Sequence, residues 1–427
     1  MRVLLLTYHY APSSAMGAAR STSLARYLAS RGDEVRVIAC GSSDASREEA
    51  SEHDGITVHR IPDQPGLFSR AFARLPGHPT MTSTAIRVPP RGQASCPKVL
   101  QLVSLAGRSV LHIPDPSLPW ARKAFDISVK ATRSWRPDVI VVSGPPFSSF
   151  IAAGRLSRCM RIPLVADYRD LWSNSTYYPY PASRRVVDRL LERIILRGVA
   201  SLVTVSEPLA EDLGRLHRRR VDVVLNGQEP YCDSAAEQER LPGELNLLYA
   251  GQIYVDRRDP RPLFDAIALL GAQGSGIRVH FAGPHGALAE RSAQLAGCPQ
   301  SVVEHGQIER DEALRLEQRA DVLLLLMWND VGEAGVYSGK LFEYLFARRP
   351  ILMLGWPHGV AADLIRSRGA GFVLNDPAAI ADQLRSWLVE ATSSGGIRSL
   401  PSSVTKGLTR DEQNSKFARV IERAAQL

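Results

Sequence analysis

The sequence predicts an α/β protein built from two doubly wound, parallel-sheet domains that face a central cleft. Three observations lead there. Short β-branched and Leu-rich runs alternate with helical periodicity through the first half, beginning with RVLLLTY, STSLARYLASRG and DEVRVIAC, the pattern of βα units around a parallel sheet. The alternation restarts after a polar stretch, CDSAAEQERLPGE at 232–244, which reads as an interdomain linker. The chain's 427 residues exceed the usual size of one domain. The expected divisions are a first domain over 1–230 and a second over 241–400. Ligands of such sheets bind beyond the carboxyl ends of the strands, so two facing sheets are expected to take two ligands, one per domain, in the cleft between them.

In chain order, the first helical run ends at Arg31-Gly32, a basic last turn with a glycine stop. PDVIVVSG, PLVADY and ASLVTVS continue the strands. Between about 62 and 118 the periodicity fails among Pro and Gly residues, which marks a long functional loop or an insertion. In the second half LNLLYAG, IRVHFAG, SVVEHG, DVLLLLM and GFVLN read as strands, with PLFDAIALLG, DEALRLEQRA and AAIADQLRSWLVEA as helices. A Ser/Gly-rich gap at 393–403 precedes a last helical stretch, DEQNSKFARVIERAA.

The net charge of +8 is unevenly spread: residues 1–230 carry 31 Lys/Arg against 20 Asp/Glu, and 231–427 carry 21 against 24. Residues 64–136 hold eleven basic residues and two acidic ones, a segment that fits an anionic membrane surface, a phosphorylated substrate or a solvated basic face. Nucleic acid is not expected, because the basic residues are not interleaved with aromatic ones for base stacking. No run of ~18 apolar residues is present to span a membrane, and MRVLLLTYHYAP turns polar too soon for a signal peptide, so a cytoplasmic protein is expected. The five cysteines are odd in number, far apart and without a CxxC pair, and the ten histidines lack ligand spacing. Neither a disulfide framework nor a metal site is expected. G-x-S-x-G, H-E-x-x-H and P-loop motifs are missing, which leaves hydrolase and NTPase chemistry without support.

Four stretches carry candidate chemistry. In GVYSGKLFEYLFARRPILMLG (335–355), Ser338 is placed to cap a helix, Gly339 lets a ligand approach the backbone, and Lys340 adds charge beside the helix's first N–H groups. Glu343, three residues on, suits sugar hydroxyls; the alternative is an ordinary Lys340–Glu343 pair on a wet helix face. In LLYAGQIYVDRRDP a strand ends at Gly251, and Arg257 and Arg258 follow as a phosphate clamp or as an exposed pair bound to Asp256 and Asp259. YHYAPSSAMGAARS places Gly17 in a loop of small residues without the G-x-G-x-x-G dinucleotide pattern. VADYRDLW ends a strand with Asp167, Arg169 and Asp170, either site residues or an Asp–Arg pair holding a loop.

In this order and spacing these stretches, together with PDVIVVSGPPFSSF, ASLVTVSEPLAEDL, VVLNGQEP and GQIERDEALRLEQRADVLLLL, resemble the GT-B glycosyltransferases of family 4 over nearly the whole chain. These are nucleotide-sugar-dependent, retaining enzymes, and the likeness is to the bacterial branch that builds envelope polysaccharides. The resemblance implies transfer of a sugar from a nucleoside diphosphate sugar to an acceptor hydroxyl with retention, independent of metal and of any cofactor. It implies donor contacts from Gly17, Gly251, Arg257, Arg258, Ser338, Gly339, Lys340 and Glu343, with Glu343 on the nucleotide ribose, and catalytic contacts from Asp170 and Arg169. Asn226-Gly227 matches the turn that closes the first domain, and the final helix, within 405–427, crosses back onto that domain. An acceptor glycan, lipid-linked sugar or small molecule would enter from the first domain, with 64–136 as its wall and as a peripheral contact with anionic membrane at the inner face. Three positions depart from the family pattern: Gly335 stands where the first glutamate of its E-x7-E motif falls, Gln252 where an Arg is usual, and Arg169 where a His often precedes the Asp. Two rival readings use the same architecture: a nucleotide-sugar epimerase or isomerase, and a nucleotide-sugar-binding protein without turnover.

Overall fold

The structure is a computed structural model that describes residues 1–13, 15–41, 49–63, 113–231, 240–253, 257–283 and 288–427. The 64–112 portion of the basic segment, with Cys96, and the linker residues 232–239, with Cys232, lie outside the described residues. The chain forms two units, Met1–Asn226 with Arg410–Leu427, and Gly227–Thr409.

The first unit contains an eight-stranded sheet in the order β3-β4-β2-β1-β5-β6-β7-β8. Its strands are β1 Arg2–Thr7, β2 Glu34–Cys40, β3 Glu49–His53, β4 Ile56–Ile61, β5 Val139–Gly144, β6 Leu164–Tyr168, β7 Ser201–Thr204 and β8 Val221–Val223. All neighbours pair in parallel except β3, which runs antiparallel to β4. Alternate residues of a strand point to opposite faces, and β1 shows it. Val3 and Leu5 join one core with helices α1 (Met16–Ser30) and the C-terminal Arg410–Ala425, through Leu24, Leu28, Phe417 and Ile421. Leu4 and Leu6 join another with α2 (Leu118–Ser134) and α3 (Ser148–Met160), through Trp120, Phe150 and Leu156. Helices α4 (Ala182–Ile195) and α5 (Glu207–His217) follow β6 and β7.

The second unit has an all-parallel six-stranded sheet, β11-β10-β9-β12-β13-β14. Its strands are β9 Leu245–Ala250, β10 Ile277–Ala282, β11 Val302–Gly306, β12 Val322–Leu326, β13 Ile351–Leu354 and β14 Gly371–Val373. Buried on both faces, β12 reads as a continuous apolar run and β9 as one broken only by Asn246, which is why LNLLYA and VLLLL carry no alternation. Helices α6 Arg261–Leu269, α7 Leu288–Ala296, α8 Arg310–Arg319, α9 Gly339–Ala347, α10 Val360–Ser367 and α11 Pro377–Ser394 connect and cover it. The C-terminal helix is α12 (Arg410–Ala425).

In each sheet the winding reverses direction once, between β1 and β5 in the first and between β9 and β12 in the second. The carboxyl ends of those strand pairs are the switch points at which such sheets take ligands.

Candidate functional site

At the second switch point β9 runs out into Gly251, whose φ of +154° is a conformation that side chains rarely adopt. A Cβ there would stand 2.8 Å from Lys340 Cε, so the missing side chain is what lets Lys340 lie across the end of the strand. Lys340 sits in the first turn of α9 and donates from Nζ to Glu343 Oε2 at 3.5 Å, while Arg310 Nη2, from α8, donates to Oε1 at 2.7 Å. The Glu343 carboxylate is 7% exposed, so a buried negative charge is held by two cations that reach it from more open positions. This is not a pair on a wet helix face: every residue of α9 from Leu341 to Ala347 is buried. Ser338 occupies the N-cap with extended backbone but its hydroxyl makes no capping bond, contrary to the sequence expectation. The Ser338 carbonyl accepts the Leu341 N–H at 3.1 Å, but no hydroxyl cap covers the N–H groups that precede it, which leaves the end beside Lys340 biased toward an anion.

Behind Glu343 lies a second carboxyl. Glu317, on α8, is fully buried, with Oε2 at 2.9 Å from the Tyr231 hydroxyl and Oε1 without a partner. Tyr231 donates to the Glu343 carbonyl at 3.0 Å. Burial first, and the neighbouring Glu343 second, push Glu317 up to about 8, against the pull of Lys340 and Arg310. Arg257 stacks its guanidinium over Trp328, which follows β12, at 4.7 Å from the ring centroid. Arg257 therefore stands at the switch point between the ends of β9 and β12, and Arg258, next in the chain, is half-buried. Asp259 is occupied by the backbone N–H of Arg261 at 2.9 Å. Between β12 and α9, Glu333 is buried with Oε2 unpartnered, and burial raises it to about 7.

In the first unit, Arg169 leaves the end of β6 and lays its guanidinium on Gly17 at the start of α1, where a Cβ would stand 1.6 Å from Nη1. Its Nη2 donates to the Pro145 carbonyl, its backbone N–H to the Gly144 carbonyl at 3.1 Å, and its buried Nε has no partner. His9, in the loop after β1, is 9% exposed; burial first, then the charge of Arg169, lowers it to about 4 and keeps it neutral. Asp170 is open to water at its surface, yet protein surrounds most of it, and that desolvation raises its carboxyl while Arg169 opposes the shift. Asp167 does not pair with Arg169. It accepts from Arg20 Nε at 3.0 Å, from Arg20 Nη2 at 2.8 Å and from the Ser143 hydroxyl at 2.9 Å, while Arg20 Nη1 donates to the carbonyls of Val224 and Leu225. That pair ties α1, β5, β6 and the segment after β8 into one body, and Asp167 is buried within it.

The chain matches two family models: the glycosyl transferase 4-like domain over residues 17–227 and the glycosyl transferases group 1 domain over 244–390. It belongs to the glycosyltransferases of the GT-B fold. Among solved structures it is similar to a glycosyltransferase from Rickettsia africae, at 14% identity and TM-score 0.59 over 99% of this chain and 98% of that one. It is similar to a sucrose-phosphate synthase from Thermosynechococcus elongatus, at 14% identity and TM-score 0.59 over 100% and 96%. HepE of Anabaena, solved with UDP, matches at 12% identity and TM-score 0.59 over 99% and 100%. At these identities the likenesses establish the fold. No curated protein sequence matches.

The structure of the glycosyltransferase brings together Gly251, Ser338, Gly339, Lys340 and Glu343 at one strand end, with Arg257 on the adjoining loop. It brings Gly17 against Arg169, with Asp170 next in the chain. Sequence reasoning missed His9, Arg310, Glu317 and Tyr231. Arg310 did carry a signal, since a cation in the first turn of a helix opposes the macrodipole and needs another reason to be there. Glu317 carried one too: it shares a helix face with Ala313 and Ala320, where an apolar residue is expected.

Proposed function

We propose that this glycosyltransferase moves a sugar from a nucleoside diphosphate donor to an acceptor hydroxyl with retention of anomeric configuration, in the assembly of a glycan or glycoconjugate. The observation that carries the reading is the buried Glu343 carboxylate flanked by Lys340, which lies across Gly251 at the switch point of the second sheet. A carboxylate has about four acceptor sites, and Arg310 and Lys340 engage one on each oxygen. The remaining sites suit the adjacent hydroxyls of a ribose. Lys340, the helix start at Ser338 and Gly339, and Arg257 with Arg258 supply the positive charge for the diphosphate. Side chains rather than a metal ion then stabilise the departing group, which is where fixed donors contribute most. In this reading the second unit binds the donor and the first the acceptor, with Arg169 and Asp170 as the candidates for contact with the reacting sugar. No protein nucleophile is assigned, which agrees with substitution on one face of the sugar. Gly335, in place of the first glutamate the family resemblance implies, leaves Glu343 as the carboxylate of that motif.

Uridine nucleotides are the first donors to test, because HepE was solved with UDP and with UDP-glucose. Calorimetric titration of UDP, GDP and ADP into the wild-type chain and into Glu343→Ala tests the assignment. One nucleotide is expected to bind, and the variant to bind it about tenfold or more weakly, the cost of losing hydrogen bonds to a charged acceptor. Silence from all three nucleotides sinks the donor site, whereas equal binding by the variant sinks only the role of Glu343. Release of free nucleotide from the matching nucleotide sugar separates turnover from binding.

A further inference from the structure

Helix α4 is built inside out. Its row Arg184, Asp188 and Glu192 is buried, while Val186, Val187, Leu190 and Ile194 are 68%, 48%, 61% and 56% exposed. The inward row is saturated. Arg184 Nε donates to Asp188 Oδ1 at 2.9 Å, the Tyr178 hydroxyl donates to Asp188 Oδ2 at 2.6 Å, and Glu192 accepts from the Tyr168 hydroxyl at 2.8 Å and from the Ser173 hydroxyl and N–H. With the polar row spent on the fold, the apolar row is left facing water as a contiguous stripe at helical spacing, and such patches mark contact surfaces.

The charges around the stripe say what covers it. Arg189, Arg193 and Arg197 are exposed on the same helix and its continuation, and the helix's acidic residues, Asp188 and Glu192, are both buried. Arg193 Nε donates to the Leu216 carbonyl at 3.2 Å, which brings the basic end of α5, with exposed Arg218 and Arg220, beside the stripe. The acidic Glu211 and Asp212 of α5 are engaged by Arg215. A second copy of the chain docked stripe to stripe would set these arginines against themselves. An anionic bilayer instead offers phosphates at the height of the guanidiniums and acyl chains below them.

We propose that α4 is a membrane-docking surface, lying on an anionic lipid bilayer with Val186, Val187, Leu190 and Ile194 at the headgroup boundary and Arg189, Arg193 and Arg197 on lipid phosphates. The contact is a surface one, since among the described residues no helix is long and apolar enough to cross a membrane. It does not depend on the donor or on the proposed reaction.

Co-sedimentation of the full chain with vesicles tests it. Wild type is expected to pellet with vesicles of phosphatidylcholine and phosphatidylglycerol and to stay in solution with phosphatidylcholine alone, with binding that weakens as salt is raised. Leu190→Asp with Ile194→Asp, and separately Arg189→Gln with Arg197→Gln, are each expected to lower binding about tenfold or more while leaving the melting temperature unchanged, because these side chains are exposed. Failure of wild type to pellet with the anionic vesicles overturns the proposal. So does equal binding by the Leu190/Ile194 variant with its fold intact, which would leave a merely cationic surface. A wild-type dimer in solution that the Leu190/Ile194 variant converts to monomer overturns it in favour of a second copy as the occupant.

Discussion

A single phenolic proton at Tyr231 stands between two acceptors, the Glu343 carbonyl and Glu317 Oε2, at 3.0 and 2.9 Å. If Tyr231 donates to the carbonyl, Glu317 satisfies its own oxygen only by carrying a proton and donating to the phenol. Its displacement to about 8 gives the same answer at neutral pH. The unfolded chain releases that proton near the ordinary glutamate value of ~4.3. Between the two values the folded chain holds more protons than the unfolded one, so stability falls as pH rises and this contribution is gone above about 8. Glu333, raised to about 7, acts in the same direction over a narrower window. Melting temperatures of wild type are therefore expected to drop between about pH 5 and pH 8, and those of Glu317→Gln, which keeps a neutral donor in place, to drop less; parallel curves would refute a protonated Glu317. In the first unit, Gly17→Ala sets a methyl 1.6 Å from Arg169 Nη1. It is expected to destabilise by ~1–3 kcal/mol, the usual cost of overpacking, and Arg169→Ser is expected to restore most of that in a double-mutant cycle read by denaturant unfolding. On the proposed reading, in which side-chain cations neutralise the leaving diphosphate, Lys340→Ala is expected to abolish donor cleavage and EDTA to leave wild-type activity unchanged.

The stretch 338–347 shows at element scale what was legible and what was not. Its register as a helix start, with Gly339 and Lys340 in the first turn and Glu343 one turn on, follows from the sequence alone, since helical spacing is local, although the hydroxyl cap expected of Ser338 is not made. That Glu343 is buried, and that Arg310 rather than Lys340 is its nearer cation, is not local, because it depends on how α8 packs on α9. The hairpin β3–β4 went unread although Asp54-Gly55 at its turn, both with positive φ, is the strongest short hairpin signal. Its first strand is exposed throughout and carries no apolar alternation to register. Helix α4 has clear amphipathic spacing, but which face turns inward is settled by Tyr168, Ser173 and Tyr178, outside the helix. Gly251→Ala belongs to this scale. The new methyl would crowd the flexible end of Lys340, 2.8 Å from Cε, and touch Tyr249 Oη at 3.4 Å, at a backbone φ of +154°, so the variant is expected to fold with modest strain of ~1–3 kcal/mol and to lose nucleotide affinity as Lys340 is displaced. Calorimetric titration beside a thermal melt separates the two effects, and unchanged affinity would detach Lys340 from the ligand.

For the molecule as a whole, the chain leaves the first unit at Asn226 and returns to it at Arg410, so the second unit is an insertion, and its two ends meet where Gln228 pairs with Thr409 and donates to the Leu408 carbonyl at 3.0 Å. Helix α12 buries Phe417, Ala418, Val420, Ile421 and Ala424 in the core that holds Val3, Leu5 and Val141, and Gln413 Oε1 accepts the Leu225 N–H at 2.9 Å. Its ion pairs at Arg31–Glu422 and Arg423–Asp222 are partly exposed and contribute little. Removing a single large buried side chain costs ~2–5 kcal/mol, and domains are stable by only ~5–15 kcal/mol. A chain cut after Thr409 loses several such side chains at once and is expected to lose the cooperative unfolding of the first unit. Residues 227–409 keep their whole sheet and their own core. Gly251, Arg310, Lys340 and Glu343 all lie within them. Calorimetry of the truncated chain should thus show the second unit's transition alone, and the nucleotide that binds wild type should still raise it, because binding to the folded form stabilises it by mass action. A surviving first transition would show that α12 is dispensable to the first core. A remaining transition that ignores the nucleotide would show that the donor site requires residues of the first unit, and the assignment of the ligand to Glu343 and its neighbours alone would fall.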